Sequence, residues 1–523
     1  MATISRASNR PTLLVRKDDL TATARELAGR ISETGEVFDR GGPVRLSQPI
    51  DGGLPNIRSL NAEAVVNLAH EITKPAILGG NGEPLGQTLP ARVGRLYLEL
   101  IDWGLPILNG ITTAPILSPN GEIHWARGFH EASGLYCTGS QSLEIPAFPT
   151  REQAEICLDL IRDYFQTFPF ADAEFDKSGS CPVVNRSAPI RHDESAFLCA
   201  LFTAVCRPSL PLAPGLLVTA PGISGAGTGK GQMVRAITLI AYGQQPSCFT
   251  ASQRIDEFDK LLDSAIVDAM QVIFIDNMNS SPNGETLRSD KLASILTEPT
   301  VAIRRLGSTG MVRLKPITFV AITGNGLSVS EDLARRFLSV KLDAKMEDPE
   351  TRPFPSGFLD RISCQRLQLL TCVLTIWRWG IQNSSALKSG KPLGSFEVWG
   401  SWVRDPLLSL GCADPIERIQ ATKANDPVRG RLLDIFKTWL HYHQSDPIGA
   451  FDLSDEVKAL INPAAPNSRQ AVTAFLQKHV GTMVAGMTLI AYEPNGQWGK
   501  NLYAISTDRP QPGTRMLPMM PMV

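Results

Sequence analysis

A glycine-rich turn between an apolar run and a helical segment carries the strongest chemical signal in the sequence. The apolar run covers 216–220, and a helical periodicity follows over 233–242. Glycines let backbone N–H groups turn inward around phosphate oxygens, and the start of a helix adds partial positive charge. The sequence therefore predicts a nucleotide-phosphate site here, in which Lys230 reaches the β- and γ-phosphates. The residues of the turn are Ser224, Gly225, Ala226, Gly227, Thr228, Gly229, Lys230 and Gly231.

The turn departs from the phosphate-loop pattern G-x-x-x-x-G-K-[ST] at two positions. Ser224 stands at the first Gly, and Gly231 stands at the Ser/Thr whose hydroxyl usually binds Mg²⁺. Water or another side chain would have to replace that hydroxyl. Thr228 is a candidate, although the residue at its position in such loops does not usually face the metal. The alternative is a Gly-rich turn with a chance Lys. A dinucleotide fingerprint does not fit, because G-x-G-x-x-G would put Lys230 or Gln232 at its third glycine.

A second chemical position lies at the end of the apolar run 272–275. There Asp276 would hold the water shell of Mg²⁺ at the carboxyl edge of a sheet; taken alone, it would be a strand-terminating Asp in a turn. The next residue in such sites is usually a Glu that polarises the attacking water, whereas this sequence has Asn277. An amide orients water but cannot accept its proton. Either hydrolysis is slow, or another carboxylate such as Glu285 or Asp290 is the base.

Two further polar groups follow along the chain. The apolar run 317–322 leads to Asn325, whose amide could contact the γ-phosphate and the attacking water, or could only shape a turn. Arg335 and Arg336 lie on a short charged helix. They form either a solvated face with an Asp332–Arg336 pair, or an arginine finger that reaches the γ-phosphate on a neighbouring subunit.

A basic hairpin is predicted before the run that leads to Asn325. Two β-type runs, 301–304 and 311–314, flank a Gly-Ser-Thr-Gly turn at 307–310. A basic hairpin could follow a nucleic-acid backbone inside a central pore; the alternative is an ordinary surface hairpin. Its positive charges, with no negative one among them, are Arg304, Arg305, Arg313 and Lys315.

The chain divides into five segments, and these candidate sites lie in the second. Segment 185–345 alternates strands and helices, which predicts an α/β core with a parallel sheet and crossover helices. Segment 1–180 carries the mixed signals of an α+β domain, and 346–425, rich in Leu and Trp, is predicted to be helical. Segment 426–506 has three helical stretches and then a hairpin, the order of a winged helix. The Pro-rich tail 507–523 is predicted to be disordered.

The composition excludes several classes of protein. The 51 Lys+Arg and 52 Asp+Glu give a net charge of −1, which excludes a polybasic or polyacidic chain but not a local basic patch. No apolar run of about 20 residues predicts a membrane span, and the first residues lack the apolar core of a signal peptide. The nine cysteines form no CxxC pair and the seven histidines are scattered. A cytoplasmic chain with reduced thiols and no zinc site is therefore expected.

Taken in chain order, SGAGTGKG, VIFIDN, the basic hairpin, ITGNG and DLARRF resemble the AAA+ ATPases. Within them, the chain is similar to the helicase modules of phage- and plasmid-type primase–helicases, close to superfamily 3. The resemblance implies a P-loop NTPase core in a hexameric ring, ATP-driven translocation on DNA, a hairpin in the pore and a C-terminal winged helix. By motif, it assigns phosphate binding to Lys230, Mg²⁺ to Asp276, the sensor role to Asn325, and the finger to Arg335 or Arg336.

Three hypotheses about function follow. The first, from a resemblance that covers roughly 100–505, is an ATP-driven DNA helicase or translocase that replicates a phage, plasmid or integrated mobile element as a homo-hexamer. The second is a nucleotide-gated DNA-binding switch with little or no ATP hydrolysis, which Asn277 and Gly231 favour. The third is a P-loop kinase for a small molecule, which explains neither the basic hairpin nor the paired arginines. Priming is not predicted, because the first 180 residues show no D-x-D carboxylate set.

Overall fold

The computed structural model describes residues 10–47, 55–139, 142–176, 181–222, 224–250, 255–278, 287–304, 310–327, 329–418, 427–492 and 501–507. The chain forms two compact units, Met1–Ile419 and Gln420–Val523. Some predicted features lie outside the described residues: Glu285, Arg305, most of the hairpin turn and the tail from 508 onwards.

A parallel five-stranded sheet forms the centre of the first unit. In chain order its strands are β1 (Gly215–Ala220), β2 (Cys248–Thr250), β3 (Val272–Asp276), β4 (Phe319–Asn325) and β5 (Phe337–Lys341). Their order across the sheet is β2-β3-β4-β1-β5, and every neighbouring pair is parallel. Because β4 lies between β1 and β3, the carboxyl ends of these three strands meet at one edge. The predicted α/β core with a parallel sheet is confirmed.

Both faces of this sheet are covered by helices, as parallel sheets require. One face packs with the helices His192–Cys206 and Lys230–Tyr242, and the other packs with Ile255–Val267 and Asp290–Thr297. Neighbouring side chains of a strand point to opposite faces, so each strand contributes to both cores. The helix His192–Cys206 is buried almost all round, which explains why its sequence is nearly continuously apolar.

Short strands and helices make up the part of the first unit that precedes the sheet. The hairpin signal at Pro119-Asn120-Gly121 corresponds to the antiparallel pair Ile116–Leu117 and Ile123–His124. The helices are Leu20–Ser32, Ala62–Ile72, Ala91–Leu98 and Arg151–Phe165. The other strands are Thr12–Leu14, Val37–Asp39, Pro43–Ser47, Asn56–Ser59, Lys74–Leu78, Pro84–Gly86, Gly110–Thr112, Gly128–His130, Leu135–Cys137, Phe175–Asp176 and Val183–Val184.

The segment after β5 is helical and packs on the sheet. Trp377 and Trp399 are fully buried in the same core as the helix Lys230–Tyr242, so this segment covers one face of the sheet. Its helices are Phe358–Cys364, Arg366–Gln382, Glu397–Trp399 and Asp405–Ser409, with a π-helical turn at Gly400–Arg404 and 3-10 turns at Pro349–Thr351 and Ser384–Ala386. Across the described ranges, no helix has both the length and the apolar character needed to cross a membrane.

The second unit contains the predicted three helices and the hairpin that follows them. The helices are Pro427–His443, Asp455–Ile461 and Arg469–His479. Ser468 caps the third, since its side chain accepts a hydrogen bond from the N–H of Ala471. A four-stranded antiparallel sheet has the order Ile448–Gly449, Leu502–Ser506, Met487–Tyr492 and Met483–Val484.

Asp193, at the start of the helix His192–Cys206, is a buried carboxylate that ties this helix to β5. Its Oδ1 accepts a hydrogen bond from the Lys341 N–H at 2.8 Å, and its Oδ2 lies 2.6 Å from Arg418 Nη2. Burial raises the pKa of Asp193 to about 7, and the nearby Asp172 carboxylate adds to this, while the Arg418 charge and the Lys341 N–H oppose it. The folded state therefore holds a proton on Asp193 more tightly than the unfolded state does.

Asp193→Asn is expected to flatten the pH dependence of stability. The raised pKa of Asp193 contributes its full stability below about pH 4. This contribution, on the order of 2 to 4 kcal/mol in total, is lost as the pH rises through about 7. Urea unfolding of both proteins from pH 4 to pH 8 measures this difference. Identical pH profiles for the two proteins would contradict the expectation.

Candidate functional site

The glycine-rich turn runs directly from β1 into the helix Lys230–Tyr242, as predicted. Gly229 precedes the helix with a φ of +95°, and Gly227 has a φ of +71°; both are left-handed conformations that favour glycine. A Cβ on Gly227 would also lie 2.5 Å from the Cα of Glu350. The 3-10 turn Pro349–Thr351, which contains Glu350, can therefore pack this closely only against a glycine. The Thr228 hydroxyl donates to the Gly225 carbonyl at 3.0 Å. Thr228 is therefore held inside the turn and does not replace the missing hydroxyl.

The Lys230 ammonium joins this turn to the end of β4. Its Nζ donates to the Gly225 carbonyl and to Asn325 Oδ1, each at 2.6 Å. Burial lowers the pKa of Lys230 from its usual value, and the negative charge of Asp276 opposes this shift. The structure thus brings Lys230 into contact with Asn325, a predicted site residue 95 positions later in the sequence.

Thr323, on β4, holds the Asp276 carboxylate in place. Its hydroxyl donates to Asp276 Oδ1 at 2.5 Å and accepts a hydrogen bond from the Asn277 N–H at 3.0 Å. Thr323 was not among the site residues predicted from the sequence. The available signal was its position two residues before Asn325, because residues two apart point to the same side of a strand.

Asn277 follows Asp276 in a left-handed conformation, with a φ of +55°. Asparagine adopts this conformation more readily than other non-glycine residues, so the backbone also favours Asn at this position. Its side chain is exposed, where an amide can orient water but cannot accept a proton. Of the two predicted bases, Asp290 lies within the described residues, where it is exposed in the first turn of the helix Asp290–Thr297.

The residues around Asp276 do not fit the usual Mg²⁺ site. Gly231 supplies no hydroxyl, and the guanidinium of Arg235 lies beside the carboxylate, with Nη2 3.5 Å from Asp276 Oδ2. A Cβ on Gly231 would be 2.5 Å from Arg235 Nη1. A positive side chain thus stands where the pattern has a metal-binding hydroxyl. Mg²⁺ binding at Asp276 stays a prediction.

The two candidate finger arginines share one partner. Arg335 Nη2 donates to Asp332 Oδ1 at 2.6 Å, and Arg336 donates to Asp332 Oδ2. The Arg335 side chain is 51% exposed, whereas that of Arg336 is 13% exposed. Of the two, Arg335 can extend to a neighbouring molecule with less loss of packing.

The predicted basic hairpin is present as the antiparallel pair Val301–Arg304 and Met311–Leu314. Alternate side chains of the pair are buried in the core beneath it, so Arg304 and Arg313 lie on the opposite, exposed face. Lys315 lies beyond the hairpin and is half-buried, and this burial lowers its pKa from the usual value. The structure therefore groups two of the four predicted cations on one face.

Several solved structures are similar to this chain at low identity. The apo C-terminal region of NrS-1 is 13% identical, with 92% of this chain and 98% of that chain covered, at a TM-score of 0.37. The SCCmec type IV Cch helicase is 11% identical over 90% and 97% of the two chains, at a TM-score of 0.31. The JCV helicase is 14% identical over 53% and 72%, at a TM-score of 0.21. No protein-family model and no curated protein matches.

Proposed function

We propose that this chain binds ATP at the glycine-rich turn and hydrolyses it to move along DNA as a helicase or translocase. The contact between Lys230 and Asn325 carries the proposal, because Nζ and Oδ1 are 2.6 Å apart at the carboxyl edge of the sheet. Asp276 lies at the end of the adjacent strand, fixed by Thr323. An ammonium, an amide and a fixed carboxylate at one edge can bind phosphates and orient a water molecule.

In this proposal, each group has one task. The backbone N–H groups of the turn and the Lys230 ammonium bind the phosphates, which requires Lys230 to exchange its contact with the Gly225 carbonyl for a phosphate oxygen. The Asn325 and Asn277 amides orient the attacking water. Neither amide removes its proton, so slow turnover is expected unless a carboxylate such as Glu285 or Asp290 acts as the base.

DNA contact and ring assembly belong to the same proposal. The exposed arginine pair of the hairpin, Arg304 and Arg313, would bind the phosphates of single-stranded DNA. Arg335 would reach the nucleotide of the next subunit in a homo-hexamer. The second unit, with its three helices and hairpin, would be a winged-helix module, and the chain would serve the replication of a phage, plasmid or integrated element.

ATP turnover of the purified full chain, with and without single-stranded DNA, tests this proposal. Phosphate release that rises with DNA and disappears in Lys230→Ala supports a motor. ATP binding that Lys230→Ala removes, without turnover under either condition, overturns the motor and leaves a nucleotide-gated DNA-binding switch. Turnover that is unchanged in Lys230→Ala contradicts both.

Replacement of Arg304 and Arg313 together by Ala is expected to weaken binding of single-stranded DNA about tenfold or more, and to flatten its salt dependence. Each lost phosphate contact lowers the slope of log affinity against log salt concentration by roughly 0.7 for single strands. Fluorescence anisotropy at several salt concentrations measures both quantities.

Met311→Ala is the matched control for the hairpin, because Met311 lies opposite Arg304 and is 62% exposed without carrying charge. Its salt slope should equal that of the wild type. An unchanged slope in the double arginine variant would show that this face does not contact DNA phosphates.

Arg335→Ala is expected to lower DNA-stimulated turnover on the order of a hundredfold or more, while ATP affinity changes less than about threefold. A finger acts on the nucleotide of a neighbour, so mixing Arg335→Ala chains with Lys230→Ala chains should restore part of the turnover. The first chain type supplies an intact phosphate site and the second supplies the arginine. Turnover that stays at the level of the separate variants would rule out action between subunits.

A further inference from the structure

Arg235 is one helical turn after Gly231 and reaches back over it to Asp276. Its Nη2 lies 3.5 Å from Asp276 Oδ2, and its guanidinium carbon lies 5.4 Å from the centre of the Phe274 ring. Arginine stacks on aromatic rings, which restricts where its guanidinium can go. The side chain is 28% exposed, and its partner Asp276 ends β3 at the same edge of the sheet at which Asn325 contacts Lys230.

The observed position of the Arg235 guanidinium and a side chain at position 231 are mutually exclusive. A Cβ on Gly231 would lie 2.5 Å from Arg235 Nη1 and 3.4 Å from Asp276 Oδ2. A Ser or Thr at this position would point its hydroxyl toward the carboxylate only if Arg235 moved away. The two departures from the usual pattern, a missing hydroxyl and an added guanidinium, are thus parts of one arrangement. The missing hydroxyl at Gly231 was visible in the sequence, whereas the position of the Arg235 guanidinium is shown only by the structure.

The charge of this arrangement differs from that of a metal site. A carboxylate and a hydroxyl attract a divalent cation, which then holds the phosphates. Here the Arg235 guanidinium lies 3.5 Å from one oxygen of Asp276, and the other oxygen accepts a hydrogen bond from Thr323. A guanidinium has five N–H donors in a planar fork, so it can face a carboxylate on one side and a phosphate on the other.

We propose that Arg235 supplies the positive charge between Asp276 and the nucleotide phosphates, so that this chain binds a nucleoside triphosphate without Mg²⁺. The inference rests on the proposed nucleotide site and specifies how that site neutralises its ligand.

Isothermal titration of ATP into the full chain, once with Mg²⁺ and once with excess EDTA, tests this inference without relying on turnover. The wild-type dissociation constant is expected to differ less than about threefold between the two conditions. Arg235→Gln is expected to weaken binding in EDTA at least about tenfold. The double variant Gly231→Ser with Arg235→Ala restores the hydroxyl and removes the cation, so it should bind ATP at least about tenfold more tightly with Mg²⁺ than in EDTA.

Gln232→Ala is the matched control, because Gln232 is exposed on the same helix. It should behave as the wild type in both conditions, and thermal melting of all variants shows that each is folded. Wild-type binding that weakens tenfold or more in EDTA overturns the role of Arg235 but leaves the nucleotide site intact. Absence of ATP binding by the wild type in both conditions overturns the proposed function itself.

Discussion

Lys230→Ala is expected to lower the affinity for ATP at least about a hundredfold, equivalent to about 2.7 kcal/mol. The ammonium lies within 2.6 Å of both the Gly225 carbonyl and Asn325 Oδ1, at the point where the turn and β4 meet. Hydrogen bonds between charged groups are each worth about 1.5–3 kcal/mol, and a phosphate would receive more than one from this ammonium. Equilibrium titration with ATP measures the effect.

Two controls separate a loss of binding from a loss of structure. Lys388→Ala removes an exposed lysine of the same unit and should leave ATP affinity unchanged. The unfolding midpoint of Lys230→Ala should stay close to that of the wild type, because Lys230 is only half-buried and its alkyl stem alone contributes packing. An affinity loss of less than about threefold would mean that the turn does not bind the phosphates through this side chain.

Arg207→Ala is expected to lower the free energy of unfolding by about 3–5 kcal/mol, although Arg207 lies away from the candidate site. Arg207 is 1% exposed and donates to the carbonyls of Leu210, Pro316 and Thr318, at 3.1, 2.5 and 3.1 Å. Burial lowers its pKa to about 10, which still leaves it charged at neutral pH. The Ala variant would leave a cavity and remove the donors of three buried carbonyls. Guanidinium denaturation, followed by tryptophan fluorescence, measures the loss.

Arg207→Lys separates the stability contributed by the three hydrogen bonds from that contributed by the positive charge. Lysine keeps the charge but has one compact ammonium, so it cannot reach three separated carbonyls. The expected loss is about 1–3 kcal/mol, between the wild type and Arg207→Ala. A loss below about 1 kcal/mol for the Ala variant would show that the loop before β4 does not depend on this anchor.

Much of the fold could be predicted because its signals are local. The helix Ile255–Val267 and the runs that became β1, β3 and β4 each carry a hydrophobic period within one short stretch. Glycines, prolines and cap residues lie at the ends of those stretches, as at Ser468 before the helix Arg469–His479. Such patterns act over a few residues, so they can be recognised without knowing what packs against them.

Strand order and long-range anchors could not be predicted in the same way. Nothing within β4 indicates that it pairs between β1 and β3, yet this pairing places Asn325 against Lys230. Arg207 lies in an ordinary loop sequence, and only the fold surrounds it with carbonyls that need donors. Pairing and burial depend on the whole chain, because each is the outcome of competition among many possible neighbours.

The glycine-rich turn, Lys230, the strand end at Asp276 and the basic hairpin could be predicted from the sequence, because each combines residue type with local periodicity. Tertiary packing established which of these residues share a site. It placed the carboxyl ends of β1, β3 and β4 at one edge, set Arg235 beside Asp276 over Gly231, and left Lys315 half-buried beyond the end of the hairpin. The physical reason is that distance and burial arise from packing between segments, which no single stretch of sequence contains.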